Sequence, residues 1–430
     1  MIRLLILLLG AEAVRRRWLH LTAIGALWVG FGVFTFLDAI DADTLIPVWY
    51  LGYFLLVEAV LTLLAATVAE PGRRRWRLIK GSVFVLVSLL TIDHPWHSDL
   101  LVALLIGVLF AIDGGFRIAS AVVVRHPHWR GAMWAGIVEV LIAIGTLQPW
   151  PSYYVGTIGC NIGLALAISG LATMRLGLRL RRLPAHAPIS SLFSRFAVGT
   201  AWPEPEGEQP PEAAELVVHV WTPAGSAEGT RRGLISRYIA AVDRDGVIST
   251  GHAALELLPD VYISHYPAVD LDRNPADFAR TLRATAENDV PGRFLPDYRS
   301  EADGWCEANA QVRFRHFDAA RLRAFWAAYR ADTTYNLTHR NCSSAVANAL
   351  DAALEGAMGQ HRPAFRLLRA MLMPELWVAG VLRQRAEAMA WTPGLLLDYA
   401  RALWLVVEPP PSGWGHLLRR LVDRRASPPS

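Results

Sequence analysis

Two residues of the sequence have the types and surroundings that suit nucleophilic catalysis. Cys342 follows Asn341 at the start of NCSSAVANALDAAL, whose small and apolar side chains predict a helix that packs against a sheet. A thiol at a helix N-terminus lies in partial positive charge, which favours the reactive thiolate. His252 lies about ninety residues earlier in GHAALEL, a run that reads as a β-strand. A strand-borne imidazole that faces a helix-borne thiol can take the proton of a cysteine nucleophile.

The sequence does not fix a third residue that would orient the imidazole of His252. Glu256 lies on the same face of the predicted strand, and Ser264 and His265 lie in the next apolar run. Taken one at a time, the cysteine and the histidine also fit a packed core, because unpaired cysteines are often buried as small apolar residues. The catalytic interpretation therefore rests on the two residues together.

The segments around these residues predict a mixed domain of strands and helices. The run that contains His252 and the run VYISHYP are separated by PD, which predicts a β-hairpin. Asp318 is the expected N-cap of the helix before the cysteine stretch. The other predicted elements are a strand over Glu215–Pro223, a helix around Asp277–Asn288, a long loop with Pro291 and Pro296, a strand over Ala310–Phe317 and a helix over Asp318–Arg330.

The first half of the chain is apolar and predicts six membrane spans. The spans form three hairpins, each opened by a basic and aromatic signal: RRRW, RRRW and HPHWR. The second helices of the hairpins align, which places Gly52, Gly107 and Gly163 in register and makes an internal repeat. The predicted spans are Trp18–Leu37, Ile46–Val68, Leu78–Thr91, Leu100–Val123, Gly131–Leu147 and Tyr154–Thr173.

Basic residues lie in every second loop, which predicts the orientation of the spans. Arginine and lysine are concentrated in the N-terminal flank, in the loop Pro71–Lys80, in the loop Arg125–Arg130 and in the tail Arg175–Arg182. The positive-inside rule then places both termini in the cytoplasm. The short apolar segment Leu4–Gly10 is followed directly by arginines, so we expect it on the cytoplasmic membrane surface rather than as a signal peptide.

Ionisable residues occur within the predicted spans. Glu58 and Asp113 align in the repeat, and Arg117 follows Asp113 by one helical turn. Charged groups inside a membrane are costly and often functional, so a proton path or a polar cavity is one interpretation. An internal polar cluster in which Arg117 pairs with Asp113 is the other, and the sequence leaves both open.

Composition excludes several classes of partner and ligand. The net charge is only +4, with basic residues at helix ends rather than on one face, so we do not expect nucleic acid as a partner. Cys160, Cys306 and Cys342 are too few and too widely spaced for a disulfide framework or a zinc site. Cys160 and Cys306 are interpreted as structural, and the sequence implies no metal or organic cofactor.

These patterns predict a multidomain protein. We expect an all-α six-helix transmembrane bundle of three hairpin repeats, an α+β domain and a C-terminal helical segment. The last segment is either a cap on the α+β domain or an amphipathic layer on the membrane surface, followed by a basic tail. The expected boundaries are 1–183 for the membrane domain, 184–213 for a linker rich in proline and acidic residues, 214–360 for the α+β domain and 361–430 for the rest.

The membrane half resembles the HdeD family of six-helix bacterial inner-membrane proteins. The resemblance rests on the hairpin repeat, the basic and tryptophan starts and the helices with glycine and acidic residues, over about Leu4–Arg179. It implies a multi-pass protein of the bacterial inner membrane with the lipid bilayer as partner. It implies little about mechanism.

The segment Glu215–Leu354 resembles the circularly permuted papain-like group, which includes permuted NlpC/P60, LRAT-like and PPPDE-type proteins. The matching residues are GH at Gly251-His252, YNL from Tyr335 and NC at Asn341-Cys342. The resemblance implies a permuted papain-like fold in which Cys342 attacks a carbonyl and His252 acts as base and then acid. It favours His265 as the orienting residue.

The same resemblance leaves the neighbours of the nucleophile open. The backbone N–H of Cys342 is an expected oxyanion donor. Tyr335 and Asn341 contribute either to substrate and oxyanion binding or only to structure.

Three functions follow from these expectations. A cytoplasmic domain tethered to the bilayer fits a peptidase or amidase that acts on membrane-proximal proteins. It also fits an acyl hydrolase or transferase that acts on lipids. From another class comes a non-catalytic HdeD-like stress-response or scaffold protein whose papain-like domain serves interactions. The oligomeric state is left open.

Overall fold

The first half of the chain forms long helices and the second half forms an antiparallel sheet with helices, as seen in a computed structural model. One compact unit, the sheet unit, comprises Met1–Arg16, Phe116–Gly136 and Arg182–Val407, and the helical unit comprises Arg17–Gly115, Ile137–Arg181 and Glu408–Ser430. The structure describes residues 2–40, 49–67, 71–92, 97–126, 129–148, 156–184, 186–192, 202–209, 211, 213–222, 241–242, 248–249, 251–269, 278–358, 370–371 and 373–408. The predicted basic tail from residue 409 onward lies outside these ranges. Residues 193–201 of the predicted linker also lie outside them.

Eight helices are described before residue 182. Trp18–Asp38, Ala103–Val124 and Thr157–Arg181 are helices long and apolar enough to cross a membrane, and they coincide with three of the predicted spans. The six-helix bundle as a whole stays a prediction. The helices are α1 (Ile2–Leu9), α2 (Ala11–Arg15), α3 (Trp18–Asp38), α4 (Trp49–Thr67), α5 (Pro71–Ile92), α6 (His97–Val124), α7 (Trp129–Thr146) and α8 (Thr157–Arg181).

The basic segment Pro71–Lys80 is helical and not the expected loop. It forms the first turns of α5 and continues without a break into the predicted third span. Arginine and lysine are good helix formers, and proline is favoured at the first helical position, so the basic signal is compatible with helix. The basic residues predict a membrane side for this segment, but they do not indicate its secondary structure.

Glycines bring α3 and α8 into backbone contact within the helical unit. A Cβ added at Gly25 or Gly32 would lie 2.5 Å from a backbone nitrogen of α8, and one at Gly163 would lie 2.5 Å from that of Phe36. Small residues at such positions allow apolar helices to pack closely. The aligned glycines of the other hairpins also lie at contacts: a Cβ at Gly52 or Gly107 would meet side chains 2.7 or 2.9 Å away.

The sheet unit is built on six antiparallel strands in the order β7-β1-β4-β5-β6-β8. β1 pairs with β4 so that Trp221 lies opposite His252, and β4 pairs with β5 up to Ala254 and Ser264. β2 and β3 form a separate short pair. The strands are β1 (Leu216–Trp221), β2 (Ala241–Val242), β3 (Ile248–Ser249), β4 (His252–Leu257), β5 (Val261–Pro267), β6 (Val290–Phe294), β7 (Ala310–Phe314) and β8 (Thr334–Tyr335).

Two predictions for this region were wrong in detail. The predicted strand GHAALEL begins only at His252, because Gly251 has a φ of +70° and separates β3 from β4. The predicted long loop contains β6 and a helix, Tyr298–Gly304, whose N-cap Asp297 accepts a hydrogen bond from the backbone of Ser300 at 2.7 Å. Backbone pairing with β5 stabilises β6 although its sequence is polar and contains a proline.

Six helices follow in the sheet unit, and the last two pack onto it. α13 and α14 contact each other, and α14 also contacts α12, β1 and β7. This packing matches the cap alternative for the C-terminal segment. The helices are α9 (Phe278–Thr281), α10 (Tyr298–Gly304), α11 (Ala319–Tyr329), α12 (Cys342–Leu354), α13 (Pro374–Ala388) and α14 (Pro393–Val407).

The N-terminal helix α1 belongs to the sheet unit, which corrects its expected place on the membrane surface. The carbonyls of Leu7 and Leu8 accept hydrogen bonds from the backbone of Gly356 at 3.0 Å and Met358 at 2.8 Å. Residues 4–8 are all buried. Apart from the exposed Arg3, this eight-residue helix is apolar, so it is better buried within protein.

Candidate active site

Cys342 is the first residue of α12, and a capping box fixes the start of this helix. The Asn341 oxygen accepts a hydrogen bond from the backbone of Ser344 at 2.8 Å, and Ser344 Oγ accepts one from the backbone of Asn341 at 2.9 Å. Such caps satisfy backbone donors that the first helical turn leaves free. The predicted position of Cys342 at a helix N-terminus is therefore confirmed.

The thiol of Cys342 is enclosed, with 7% of the residue exposed. Its sulfur lies 3.7 Å from Ser343 Oγ. Burial raises the pKa of the thiol, and hydrogen bonds from Ser343 and from the backbone N–H of Ala253 act in the opposite direction. The neutral thiol is therefore the resting form, and it lies beside the residue that follows His252 on β4.

His252 opens β4 and is buried, with 3% exposed. Its Nε2 lies 2.9 Å from Ser264 Oγ and 3.1 Å from Glu301 Oε1. The ring stacks on Tyr266 with centroids 4.0 Å apart. Burial, with a smaller contribution from the charge of His265, lowers the pKa of His252 to about 3. The imidazole is therefore neutral near pH 7, as a general base must be.

Glu301 was missed by sequence reasoning. It lies in α10 with 3% of the residue exposed, and it accepts hydrogen bonds from Tyr262 at 2.6 Å and Tyr266 at 2.8 Å. Its neighbours along the chain are mostly exposed, so neither hydrophobic periodicity nor motif spacing marks it. The N-cap at Asp297 is the one sequence signal for the helix that carries it.

The structure places Cys342 and His252 next to each other along β4 but does not join them. Both residues are fully described, and no hydrogen bond links the sulfur to the imidazole. The imidazole nitrogen Nε2 is instead directed to Ser264 and Glu301. The catalytic pairing of the two residues stays a prediction.

Of the three candidate orienting residues, only Ser264 contacts His252. Glu256 instead lies 3.1 Å from Nε2 of His219 on the neighbouring strand. Ser264 and His265 are consecutive on β5, so their side chains point to opposite faces of the sheet. The geometry therefore separates His265 from the imidazole that it was expected to orient.

The expectation for His265 is thus corrected. Its Nδ1 lies 3.0 Å from the hydroxyl of Tyr329, and its Nε2 lies 3.4 Å from the carbonyl of Thr333. Burial and the neighbouring Arg340 lower its pKa to about 4. The imidazole fills a packing position between β5 and α11, where a neutral ring has both nitrogens satisfied.

Asn341 makes the contacts expected of the structural alternative left open for it. Both hydrogens of its amide are used inside the protein, on the carbonyls of Leu337 at 2.7 Å and Trp391 at 2.9 Å. No side-chain donor of Asn341 is left for an oxyanion. Tyr335 lies in β8 opposite Val290, and its ring is edge-on to His265 at 5.1 Å, within the core.

One ionisable residue of the predicted spans, Glu58, forms an ion pair between two helices. Glu58 on α4 pairs with Lys80 on α5, with 2.6 Å between Nζ and Oε1, and the sequence reasoning did not single out this lysine. Asp113 and Arg117 are half-buried on α6. The Glu58–Lys80 pair joins neighbouring hairpins, as an internal polar cluster would.

Neither a metal site nor a relative identifies the chain. Among the residues that the structure describes, no group of three or more histidine, cysteine, aspartate or glutamate side chains could hold a metal ion. Comparison with known protein families, curated proteins and solved structures finds no match. Functional inference therefore rests on the geometry of the site.

Proposed function

We propose that the protein is a membrane-anchored cysteine hydrolase of permuted papain-like fold, with an HdeD-like membrane half and the hydrolase domain in the cytoplasm. Cys342 is its nucleophile and His252 its general base and acid. One observation carries the proposal: the thiol opens a capped helix and lies beside the backbone of Ala253, adjacent to a buried, neutral His252. Burial of both groups is typical of residues whose protonation matters to function.

The reaction has two halves. The sulfur of Cys342 bonds to a carbonyl carbon while its proton passes to His252, and the tetrahedral intermediate then expels an amine or alcohol that receives this proton. Water next attacks the thioester and gives its proton to His252, which returns it to the departing thiol. Because thiol and imidazole are both neutral at rest, proton transfer accompanies attack.

The first turn of α12 supplies the expected oxyanion donor. The backbone N–H groups at a helix start have no partner within the helix, and the N–H of Cys342 is one of them. This leaves Asn341 as the residue that orients the helix start rather than one that binds substrate. A substrate must still displace the side chains that enclose the thiol.

The substrate is a membrane-proximal protein or lipid with an amide or ester bond. Three apolar helices long enough to cross a bilayer support a location near the membrane. Trp305 is 54% exposed and stacks on Trp221, whose ring lies 5.6 Å from that of His252. This aromatic group leads from the protein surface toward the imidazole and suits an apolar substrate segment.

The test is thiol labelling of the full-length protein in detergent. We expect a carbonyl-directed cysteine probe to label wild type, to fail on Cys342→Ala and to label His252→Ala at least about 100-fold more slowly. Cys306→Ala is the matched control and should label like wild type, because Cys306 is exposed and only its backbone carbonyl, which accepts a hydrogen bond from Trp221, contacts the site. Peptide and lipid ester panels would then separate the two substrate classes.

A non-catalytic scaffold is the second candidate, and the closed geometry favours it. The thiol is enclosed and makes no hydrogen bond to His252, as in a domain kept only for interactions. Labelling of Cys342 that is no faster than labelling of Cys306 and is indifferent to His252→Ala would establish this candidate.

A further inference from the structure

Glu301 is a buried carboxylate with an unusual set of partners. It accepts hydrogen bonds from Tyr262 and Tyr266 and lies 3.1 Å from Nε2 of His252. Within the described part of the chain, neither arginine nor lysine forms an ion pair with it. Burial of a carboxylate costs free energy that hydrogen-bond donors must offset. Packing alone therefore does not explain why Glu301 is buried at this position.

The two tyrosines hold this carboxylate in one orientation. Burial and the negative charge of Glu301 raise the pKa of both hydroxyls well above their usual value, so both remain donors. Tyr262 binds Oε2 and Tyr266 binds Oε1. The stacking of Tyr266 on His252 then ties the donor that orients the carboxylate to the ring that the carboxylate faces.

A carboxylate at Nε2 selects one tautomer of a neutral histidine. An ionised carboxylate only accepts hydrogen bonds, so Nε2 must carry the hydrogen that lies between them. The lone pair is then on Nδ1, the nitrogen left to receive a proton. Ser264 Oγ also lies near Nε2, but a hydroxyl both donates and accepts and therefore selects neither tautomer.

We propose that Glu301 is the positioning residue of this site: it holds His252 with its hydrogen on Nε2 and stabilises the imidazolium that forms when Nδ1 takes the thiol proton. The inference rests on the proposed function and adds the residue that was sought among Glu256, Ser264 and His265. Glu301 acts through His252 and does not touch the reacting atoms.

The experiment measures how fast iodoacetamide alkylates Cys342 in the full-length protein between pH 5 and 9, read by mass spectrometry. Cys306 in the same molecule is the internal reference because it is exposed. The variants are Glu301→Gln, Glu301→Asp, Ser264→Ala and His252→Ala. Glu307→Gln is the matched control, since Glu307 is exposed three residues after α10.

We expect Glu301→Gln to slow alkylation of Cys342 at least about tenfold while Cys306 is unchanged. Glu301→Asp, which keeps the charge, should recover part of the rate, and Glu307→Gln should stay within about twofold of wild type. Ser264→Ala, which removes the other partner of Nε2 but no charge, should slow alkylation less than Glu301→Gln. The loss in Glu301→Gln should persist across pH 5–9, because burial lowers the pKa of His252 to about 3 and the ring is neutral throughout this range.

Four results would overturn the inference. If His252→Ala slows Cys342 but Glu301→Gln does not, the proposed function stands and Glu301 is only structural. If Ser264→Ala gives the loss instead, Ser264 is the positioning residue. If Glu301→Gln speeds alkylation of Cys342 and lowers the thermal midpoint, the carboxylate serves packing. Indifference of Cys342 to His252→Ala would remove the proposed function itself, and the positioning role with it.

Discussion

The α3–α8 contact of the helical unit and the α12–α13–α14 contact of the sheet unit are held in opposite ways. Between α3 and α8 the backbones meet at glycines, and any side chain at these positions would push the helices apart. Between α12 and the two C-terminal helices, Arg383 donates to Asp351 at 2.6 Å, and Tyr399 donates to the same carboxylate at 2.5 Å. The first contact needs glycines that let the two backbones approach, and the second needs a buried ion pair.

This difference follows from what each unit must hold in place. Apolar helices associate through close packing, and any side chain that separates the backbones removes that attraction. A buried carboxylate fixes its partners in direction as well as distance, at the cost of desolvation. The sheet unit contains three buried carboxylates that accept hydrogen bonds from distant parts of the chain: Asp351, Glu355 and Glu301. Directional contacts of this kind suit a unit that carries a candidate site.

The largest expected effect breaks the glycine contact. Gly32→Leu should prevent α3 and α8 from packing, because the backbone nitrogen of Ala167 would lie 2.5 Å from the new Cβ. Backbone cannot move aside as a side-chain end can, so the strain exceeds the roughly 1–3 kcal/mol usual for overpacking. We expect little monodisperse protein in detergent by size-exclusion chromatography.

Gly30→Leu on the same helix is the matched control. A Cβ at Gly30 meets nothing within 4 Å, so this variant should purify like wild type. Equal behaviour of the two variants would show that α3 and α8 do not depend on backbone contact.

The second effect breaks the buried charge. Arg383→Met should lower the free energy of unfolding of the sheet unit by about 3–5 kcal/mol, since it leaves Asp351 buried with only Tyr399 as donor. Arg401→Met on α14 changes an exposed arginine and should cost less than about 0.5 kcal/mol. Urea unfolding in detergent, followed by tryptophan fluorescence, measures both. Similar losses would mean that the ion pair adds nothing beyond packing.

The parts of the fold and of the site that could be predicted are those determined by residues close together in the sequence. The β-rich runs on either side of PD identified β4 and β5, and the asparagine before Cys342 identified the start of α12, because both signals are local. Glu301 and the burial of α1 were not predictable, since their partners are brought close only by the fold. His265 was misassigned because side-chain direction on β5 decides between neighbours, and a shift of one residue reverses it.

The smallest effect sharpens the comparison by titrating one buried imidazole. His265 has a pKa of about 4 in the folded protein, set mainly by burial and by Arg340, against about 6.5 when unfolded. The unfolded chain therefore binds a proton that the folded one excludes, so stability is complete above about pH 6.5 and falls as pH drops toward 4. The loss is at most about 3 kcal/mol.

His265→Gln should flatten this pH dependence of the unfolding free energy, whereas His316→Gln, at an exposed position, should leave it unchanged. His252 contributes a similar slope, because burial lowers its pKa to about 3. The slope that remains in His265→Gln includes the contribution of His252 together with those of His219 and His339, whose pKa values burial also lowers. If the pH dependence does not change in His265→Gln, the core does not hold this ring neutral. The ring would then not be shielded from solvent, in contrast to its buried contacts with the Tyr329 hydroxyl and the Thr333 carbonyl.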